Sequence, residues 1–531
     1  MSRYLTELKI KATAEISNQN QTLVTQWWDK LWALSPLEKN HFDPWELAPR
    51  LELEPEKALA FFLYGSKANL FQMRWSVVCP TCGVVSHTCL KMDELPVERF
   101  RCGLCENDEE LDLDRHIQVS FSPSLDIFTD REEPYSGGID EYNAFFVSPQ
   151  FQQSTEVKAF LSENLVSFSI LKPYEMSNLP LQSDGGEIFK IFNNETQTVF
   201  LLRIRHNLAN RTNSFLSRMH SYKVEREEQI RAESGMPSMG PPPQVFDLEL
   251  GDEGFAQEFG RLQNGRVALW LENKTNRFMT VMVSRYKKRE FRELQREFPA
   301  TFKPFLTGKN VLVHQLYRDL FLDTPLNSDF HLKVGNFAVL ICDVKGSTDI
   351  FTDLGDREGY QLIRNFFDLV NDAASSNGGS LIKTLGDSVM AAFSSPAEAV
   401  RASLMISEAI QRFNKDTDRL PLPFSMGLGS GNAMAVAANR AVDFVGQMLN
   451  LTIRLQKQAH EGEIWVSQSI FAGTGVVDLF HDNGWNCTQH VIKLRGDGHK
   501  SIVYQCQLPV IVEVPETPAL QLEDVSEDMF E

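Results

Sequence analysis

Two stretches, FAVLICDVKGST (residues 337–348) and LIKTLGDSVMAAF (residues 381–393), decide how the C-terminal third of this chain folds. The first is an apolar strand that ends on Asp343 and runs into Gly346-Ser347-Thr348, a turn able to expose backbone amides. The second reads as a β-hairpin turning at Gly386-Asp387, so that Asp387 stands at its tip. Between them, REGYQLIRNFFDLVNDAASS (357–376) has the spacing of an amphipathic helix and stops at Asn377-Gly378-Gly379. PAEAVRASLMISEAIQRF (396–413) is a second helix. In VDFVGQMLNLTIRLQ (442–456) a glycine breaks a strand and a helix begins, with Asn450 and Arg454 four apart on one face. Strands and helices thus alternate over residues 336–508, the pattern of an α/β domain.

The chemistry lies in these same segments. Two carboxylates at the ends of neighbouring strands can share hard divalent cations whose shell is completed by substrate phosphates. Either aspartate alone would merely end a strand and turn the chain. An amide and a guanidinium on one helix face can hold a ribose and stabilise charge on phosphorus, although such pairs commonly form a solvated face.

CDVKGST, KTLGDSVMAAF and DFVGQMLNLTIRLQ together resemble, in order and spacing, the motifs of class III adenylyl/guanylyl cyclase catalytic domains. The resemblance covers about a third of the chain and implies a ferredoxin-like α/β domain. It makes Asp343 and Asp387 ligands of two Mg²⁺ (or Mn²⁺) ions per active site, with the Val344 carbonyl as a further ligand. Lys383 and Asp443 match the pair that reads the base. Asn450 orients the ribose, Arg454 stabilises the transition state, and Arg495, in KLRGDG, stands where the family often has a phosphate-binding lysine. The family assembles its site across a dimer, and this chain carries the full set once, which implies a homodimer with two shared sites. Adenine offers an amine donor and a ring-nitrogen acceptor, which Asp443 and Lys383 match; guanine would meet the wrong partners. The expected activity is conversion of ATP to 3′,5′-cyclic AMP and pyrophosphate. The chain departs from the family in Thr452 and Ile453, where Ala or Ser is common, and in the GLGSG segment (427–431), which often holds a histidine. The competing readings are a catalytically weak cyclase-fold nucleotide sensor, a cyclase of another nucleotide, and a zinc-ribbon scaffold or nucleic-acid adaptor.

The front half reads differently. Residues 1–75 have helical spacing broken at Pro36 and Pro44, and Trp27, Trp28 and Trp32 are expected to be core rather than membrane anchors. Cys79, Cys82, Cys102 and Cys105 form two CxxC pairs about twenty residues apart, a spacing that closes a tetrahedral site for one structural Zn²⁺ per chain. His87 and Cys89 are spare candidates. The ribbon, assigned to 76–116, carries the acidic run ENDEELDLD (106–114), which disfavours contact with phosphates. Residues 117–290 contain short alternating runs, IQVSFS, NAFFVS, VSFSIL, TVFLLRIR, RVALWLEN and FMTVMVS, and are expected to form a β-sandwich-like regulatory domain. A charged helical stretch (221–233) and a proline-rich loop (236–244) interrupt it. Residues 291–335 read as a linker and 509–531 as a frayed acidic tail. The expected whole is a multidomain α+β chain of 531 residues. The ribbon and the β-rich region ahead of the cyclase motifs resemble a bacterial architecture with a DUF5939-type N-terminal domain. That resemblance implies regulation by an unnamed ligand or protein.

Composition narrows the partners. The net charge of −19 repels nucleic acid and anionic membranes. No segment approaches a membrane span, and the charged start MSRYLTELKIKATAEI is unlike a signal peptide. Four of the eight cysteines fall in the CxxC pairs and the others look scattered, as in a reducing compartment. A cytoplasmic protein is expected.

Overall fold

The strand His331–Val344 lies inside an eight-stranded mixed sheet. On one side it pairs with Ser388–Phe393 and through it with Ser380–Leu385. On the other side follow Phe424–Ala438, Ile464–Ser467, Lys500–Gln507 and Asn486–Lys493, with Ala441–Val445 folded back on the far half of Phe424–Ala438. The alternation of the central strand divides its side chains between two cores. Ala338, Leu340, Cys342 and Val344 pack on the helices Ser347–Ser376 and Pro396–Asp416, beside Phe366, Val370 and Ile406. Phe337, Val339 and Ile341 enter a second cluster on the opposite face. Asp343 continues that second face, away from the helices. The long helix breaks at Gly355, whose φ of 75° is left-handed, so the helix read from Arg357 onward is the part after the break.

The structure is a computed structural model that describes residues 21–96, 99–124, 134–205, 243–321, 330–416, 421–438, 441–493 and 500–508. The multidomain α+β architecture expected from the sequence is present, with a C-terminal mixed sheet flanked by helices, a β-rich middle and a cysteine cluster. Among the described helices none is long and apolar enough to cross a membrane.

The N-terminal helices are Gln21–Trp32, Pro44–Leu51 and Pro55–Lys67. Pro44 opens the second with Asp43 as its cap, the carboxylate accepting from the backbone N–H of Trp45 at 2.9 Å. Trp27 and Trp28 are each 5% exposed and pack against Phe61 and Phe71, as core residues. The strand that follows, Phe71–Val78, pairs with Val85–Cys89 on one edge and Ile117–Pro123 on the other. This sheet runs across both ends of the range 76–116. IQVSFS therefore belongs to the N-terminal core and not to the sandwich, because its inward residues Ile117, Val119 and Phe121 complete that core.

The middle of the chain is a sandwich of a five-stranded and a four-stranded sheet around Leu171, Ile191, Phe200, Leu269 and Val281. It begins at Leu165. NAFFVS, read as a strand, lies mostly in the helix Ile139–Phe146. There Tyr142 and Phe146 stack one turn apart with centroids at 4.4 Å, a contact that helical spacing creates and a strand would not. The charged stretch 221–233 lies outside the described residues, as do the proline-rich loop up to 242, the tail 509–531 and residues 1–20.

The expected linker 291–335 is instead built into the fold. Thr301–Phe302 pairs with Phe151–Gln152. The backbone N–H of Leu306 donates to buried Asp43 at 3.1 Å, and Leu306, Val311, Leu312 and Val313 join the N-terminal core. Burial pushes the Asp43 carboxyl up to about 6. The helix Gln315–Phe321 lies between Pro55–Lys67 and the strand Ser380–Leu385. The acidic run is also structural. Leu113 N–H donates to the Lys333 carbonyl at 2.9 Å, Asp112 accepts from Gly335 N–H at 3.2 Å, and Asp114 pairs with Lys309 at 2.9 Å. It thereby clamps the irregular start of the central strand, where pairing shifts between Val334 and Phe337.

Candidate active site

Asp343 and Asp387 meet at one end of the catalytic sheet. Asp343 lies opposite Ser388 in the strand pairing, and Gly386, with φ at 71°, makes the two-residue turn that presents Asp387. The Ser388 hydroxyl donates to Asp343 Oδ1, and Gln456 Nε2 donates to Asp343 Oδ2 at 3.1 Å. The Ser347 hydroxyl, from the turn after the strand, donates to Asp387 Oδ2. Val344 closes the strand beside Asp343. Both carboxylates are partly exposed, and every oxygen so engaged keeps a second lone pair. An all-oxygen donor set of this kind fits hard divalent cations. Ser388 and Gln456 are not among the residues that the sequence alone singles out, and Ser347 stands there only as part of a turn able to expose backbone amides. The serines flank the two aspartates in their own motifs, but Gln456 reaches Asp343 only through the tertiary fold.

Lys383 and Asp443 come together from different strands, Lys383 Nζ lying 2.6 Å from Asp443 Oδ2. Asp443 Oδ1 accepts the backbone N–H of Phe444 at 2.7 Å. Behind them stands Arg318, which the sequence alone leaves inside a linker. Its Nη2 donates to the Val442 carbonyl at 3.0 Å, and Gln315 on the same helix accepts the Leu381 N–H at 2.9 Å. The two contacts fix the chain next to Asp443 and two residues before Lys383. Burial pulls Arg318 down to about 10 against the opposing pull of Asp443, which leaves it charged at neutral pH.

Asn450 and Arg454 lie on the exposed face of the helix Gln447–Gln458. This helix sits directly on Gly427 and Gly429. A Cβ at Gly427 would meet the Gln456 backbone nitrogen at 2.4 Å, and one at Gly429 would meet Thr452 Oγ1 at 2.0 Å. The departures at Thr452 and in GLGSG thus compensate each other. Fully buried Thr452 returns its hydroxyl to the Met448 carbonyl at 2.9 Å and fills the space that the glycine leaves. Gln456 is about 200° round the helix from Arg454, so the face that touches Asp343 is not the face that carries Asn450 and Arg454. Within the protomer, Arg454 and Asn450 therefore face away from the contact with Asp343. Arg495 lies outside the described residues.

The four sulfurs of Cys79, Cys82, Cys102 and Cys105 all lie within 4.8 Å of one another, with Cys79–Cys105 and Cys82–Cys102 at 3.5 Å. Zn–S bonds of about 2.3 Å at tetrahedral angles place sulfurs about 3.8 Å apart, so the cluster fits zinc. The knuckles repeat one geometry: Gly83 N–H donates to the Cys79 carbonyl and Glu106 N–H to that of Cys102, both at 2.9 Å, both residues with positive φ. Hydrogen bonds from its neighbours pull the Cys102 thiol down while Cys82 and Cys105 are pushed up, because four adjacent sulfurs cannot all ionise without a cation. His87 is exposed on the neighbouring strand, and buried Cys89 donates to the Lys91 carbonyl at 3.1 Å; neither joins the cluster. Cys102→Ser is expected to lose stoichiometric zinc and about 10 °C or more of melting temperature. Elemental analysis with calorimetry checks this, and full zinc content with unchanged melting would refute the site.

The remaining cysteines are not all scattered thiols. Cys487 and Cys506 face each other across antiparallel strands and are joined as a disulfide, a pairing hidden in the sequence because it depends on strand register.

Residues 331–504 match the family described as the adenylate and guanylate cyclase catalytic domain, and residues 1–236 match DUF5939, a family of unknown function. No curated protein sequence matches the chain. Among solved structures, the chain is similar to the adenylyl cyclase CyaB from P. aeruginosa, with 21% identity and a TM-score of 0.29 over 33% of this chain and 95% of that one. It is similar to the guanylate cyclase domain of RhGC from Catenaria anguillulae in complex with GTP, with 18% identity and a TM-score of 0.29 over 33% and 98%. A third is the catalytic core of a rhodopsin-guanylyl cyclase with converted specificity in complex with ATPαS, at 19% identity and a TM-score of 0.30 over 34% and 99%. By its family matches, this chain carries a class III adenylate and guanylate cyclase catalytic domain at residues 331–504 behind a region of the DUF5939 family at residues 1–236.

Proposed function

We propose that this chain is an adenylate cyclase, converting ATP to 3′,5′-cyclic AMP and pyrophosphate in a cytoplasmic homodimer whose sites are shared between subunits. The observation that carries the choice of base is the Lys383–Asp443 pair at 2.6 Å. It offers one donor and one acceptor side by side, the complement of the adenine ring nitrogen and exocyclic amine. Asp343 and Asp387, with the Val344 carbonyl, would hold two Mg²⁺ or Mn²⁺ ions, which when bound lower the pKa of the 3′-hydroxyl and neutralise the triphosphate.

The other side chains have separate tasks. Ser388, Gln456 and Ser347 aim the two carboxylates. Asn450 holds the ribose, and Arg454 meets the charge that grows on the α-phosphoryl oxygens; Arg495 is assigned to the outer phosphates. As the 3′-oxygen bonds to the α-phosphorus, the bond to the bridging oxygen of pyrophosphate breaks and the hydroxyl proton passes to solvent. No covalent enzyme intermediate is needed. The N-terminal half is the regulatory element in this proposal. Arg318, Asp112 and Asp114 tie it to the backbone beside the base-reading pair and to the start of the central strand.

Incubating the purified protein with Mg²⁺ or Mn²⁺ and each of four nucleoside triphosphates, with products identified by mass spectrometry, tests the proposal. Cyclic AMP is expected from ATP. Cyclic GMP as the main product would overturn the base assignment, and nucleotide binding without any product would favour the sensor reading. Lys383→Glu combined with Asp443→Cys is expected to shift the ATP/GTP preference by about tenfold or more towards GTP. An unchanged ratio would place base selection elsewhere.

A further inference from the structure

A cavity of about 890 Å³ lies between the outer face of the sandwich, the zinc knuckles and the N-terminal helices. Its floor is the outer face of the strands that carry FKIFN (189–193) and MTVMVSR (279–285). Phe189, Ile191, Val281 and Val283 fill the sandwich core, while Lys190, Phe192, Thr280, Met282 and Ser284 face the cavity. The helix Thr155–Asn164 and the helix Lys288–Glu297 form another wall, where Phe160 stacks on Phe291 with centroids 5.9 Å apart. The volume falls in the usual range for small-molecule sites, and aromatic side chains are prominent in the lining.

The charge of the lining opposes that of the chain. Seven Lys and Arg residues and four Asp and Glu residues line the cavity, in a protein of net charge −19. Five of the seven basic residues already face a carboxylate: Lys190 and Lys288 pair with Glu106, Arg50 with Glu38, Arg285 with Glu187 and Lys287 with Glu290. Lys158 and Arg292, at the exposed rim, have no carboxylate partner among the described residues.

We propose that this cavity binds a small amphipathic organic anion, its apolar body against Phe168, Phe192 and Phe160 and its acidic head at Arg292 and Lys158. A neutral apolar molecule would leave the rim cations uncompensated, and a polar anion such as phosphate alone would leave the aromatic floor wet. The site is also placed to matter. Cys82, Cys105 and Glu106 form part of its wall, and the chain runs on from Glu106 directly into Asp112 and Asp114, which clamp the central catalytic strand. The proposal stands apart from the cyclase reading, because binding alone tests it.

The zinc-loaded full chain is titrated with hexadecanoate below its micellar concentration, read by displacement of anilinonaphthalene sulfonate fluorescence, with hexadecanol as the uncharged counterpart. Saturable binding at one site per chain is expected, with the acid favoured over the alcohol by about tenfold or more. Arg292→Glu, on an exposed position, is expected to erase that preference while retaining the alcohol. Ser284→Trp, which fills the cavity from its floor, is expected to abolish binding of both with unchanged circular dichroism. No saturable binding, equal affinity for acid and alcohol, or undiminished binding to folded Ser284→Trp would each overturn the proposal.

Discussion

Co-expressed Asp387→Ala and Arg454→Ala chains, each inactive alone, are expected to regain about a quarter of wild-type cyclase activity. The expectation follows from the helix Gln447–Gln458. Gln456 turns inward and donates to Asp343 of its own protomer, which aims Arg454 and Asn450 outward, onto an exposed face. In the proposed reaction Arg454 touches the α-phosphoryl group, and from that outward face it would do so at the aspartates of a second catalytic domain. In a mixed dimer one site then holds both lesions and the other holds none. Random pairing makes about half of the dimers mixed, each with one working site of two, hence about a quarter. A site complete within one chain would give no rescue at any ratio. Tagging the two variants differently and purifying through both tags removes dimers that never exchanged, and inactivity of that doubly tagged species would refute the shared site.

What was legible in the sequence was local. FAVLICDV declares its strand through an unbroken apolar run, Gly386 declares the turn, and the two cysteine pairs declare their cluster through spacing alone. Each of these signals is carried by residues a few positions apart, or in the cysteine cluster by two such pairs. The misses were tertiary. NAFFVS has strand composition, but Tyr142 and Phe146 pack as helix neighbours. Residues 291–335 look like a linker because the buried run 306–313 and Tyr317 find no partners nearby in sequence; their partners are Asp43, Ile117 and Trp75, hundreds of residues earlier. The acidic run 106–114 resembles a solvated surface until Lys309, Lys333 and the Gly335 amide are placed against it. Arg318 lies in no motif, and Gln456 closes one in which nothing marks it for a role. They matter because the fold sets one beside Val442 and the other beside Asp343. The family's departures at Thr452 and Gly429 make the same point. Separately each looks like a defect, one in the helix and one in the strand beneath it, and only their contact explains why the helix can lie so close to the strand.

Asp343→Asn and Asp387→Asn should each cost about a thousandfold or more in turnover while leaving the fold intact, about 4 kcal/mol of barrier. Asparagine keeps the shape of aspartate and can still accept from the Ser388 or Ser347 hydroxyl that now touches the carboxylate. In the Asp343→Asn variant Gln456 can turn its own amide to accept from the new one, keeping a bond to the Ser425 hydroxyl, which donates as readily as it accepts. Packing and hydrogen bonding therefore survive, and the melting temperature should move by no more than about 2–4 °C. What disappears is one negative charge at a site read as binding two divalent cations. The loss should accordingly appear as a raised Mg²⁺ or Mn²⁺ requirement as well as a lower kcat. Ser388→Ala separates orientation from charge. It leaves both carboxylates ionised and removes only the hydroxyl that aims Asp343, so a loss of about tenfold is expected, with little change in the metal requirement. Near-normal activity in either asparagine variant would show that the two aspartates merely end their strands. A metal dependence unchanged from wild type, with kcat alone reduced, would assign them a role other than holding the cations.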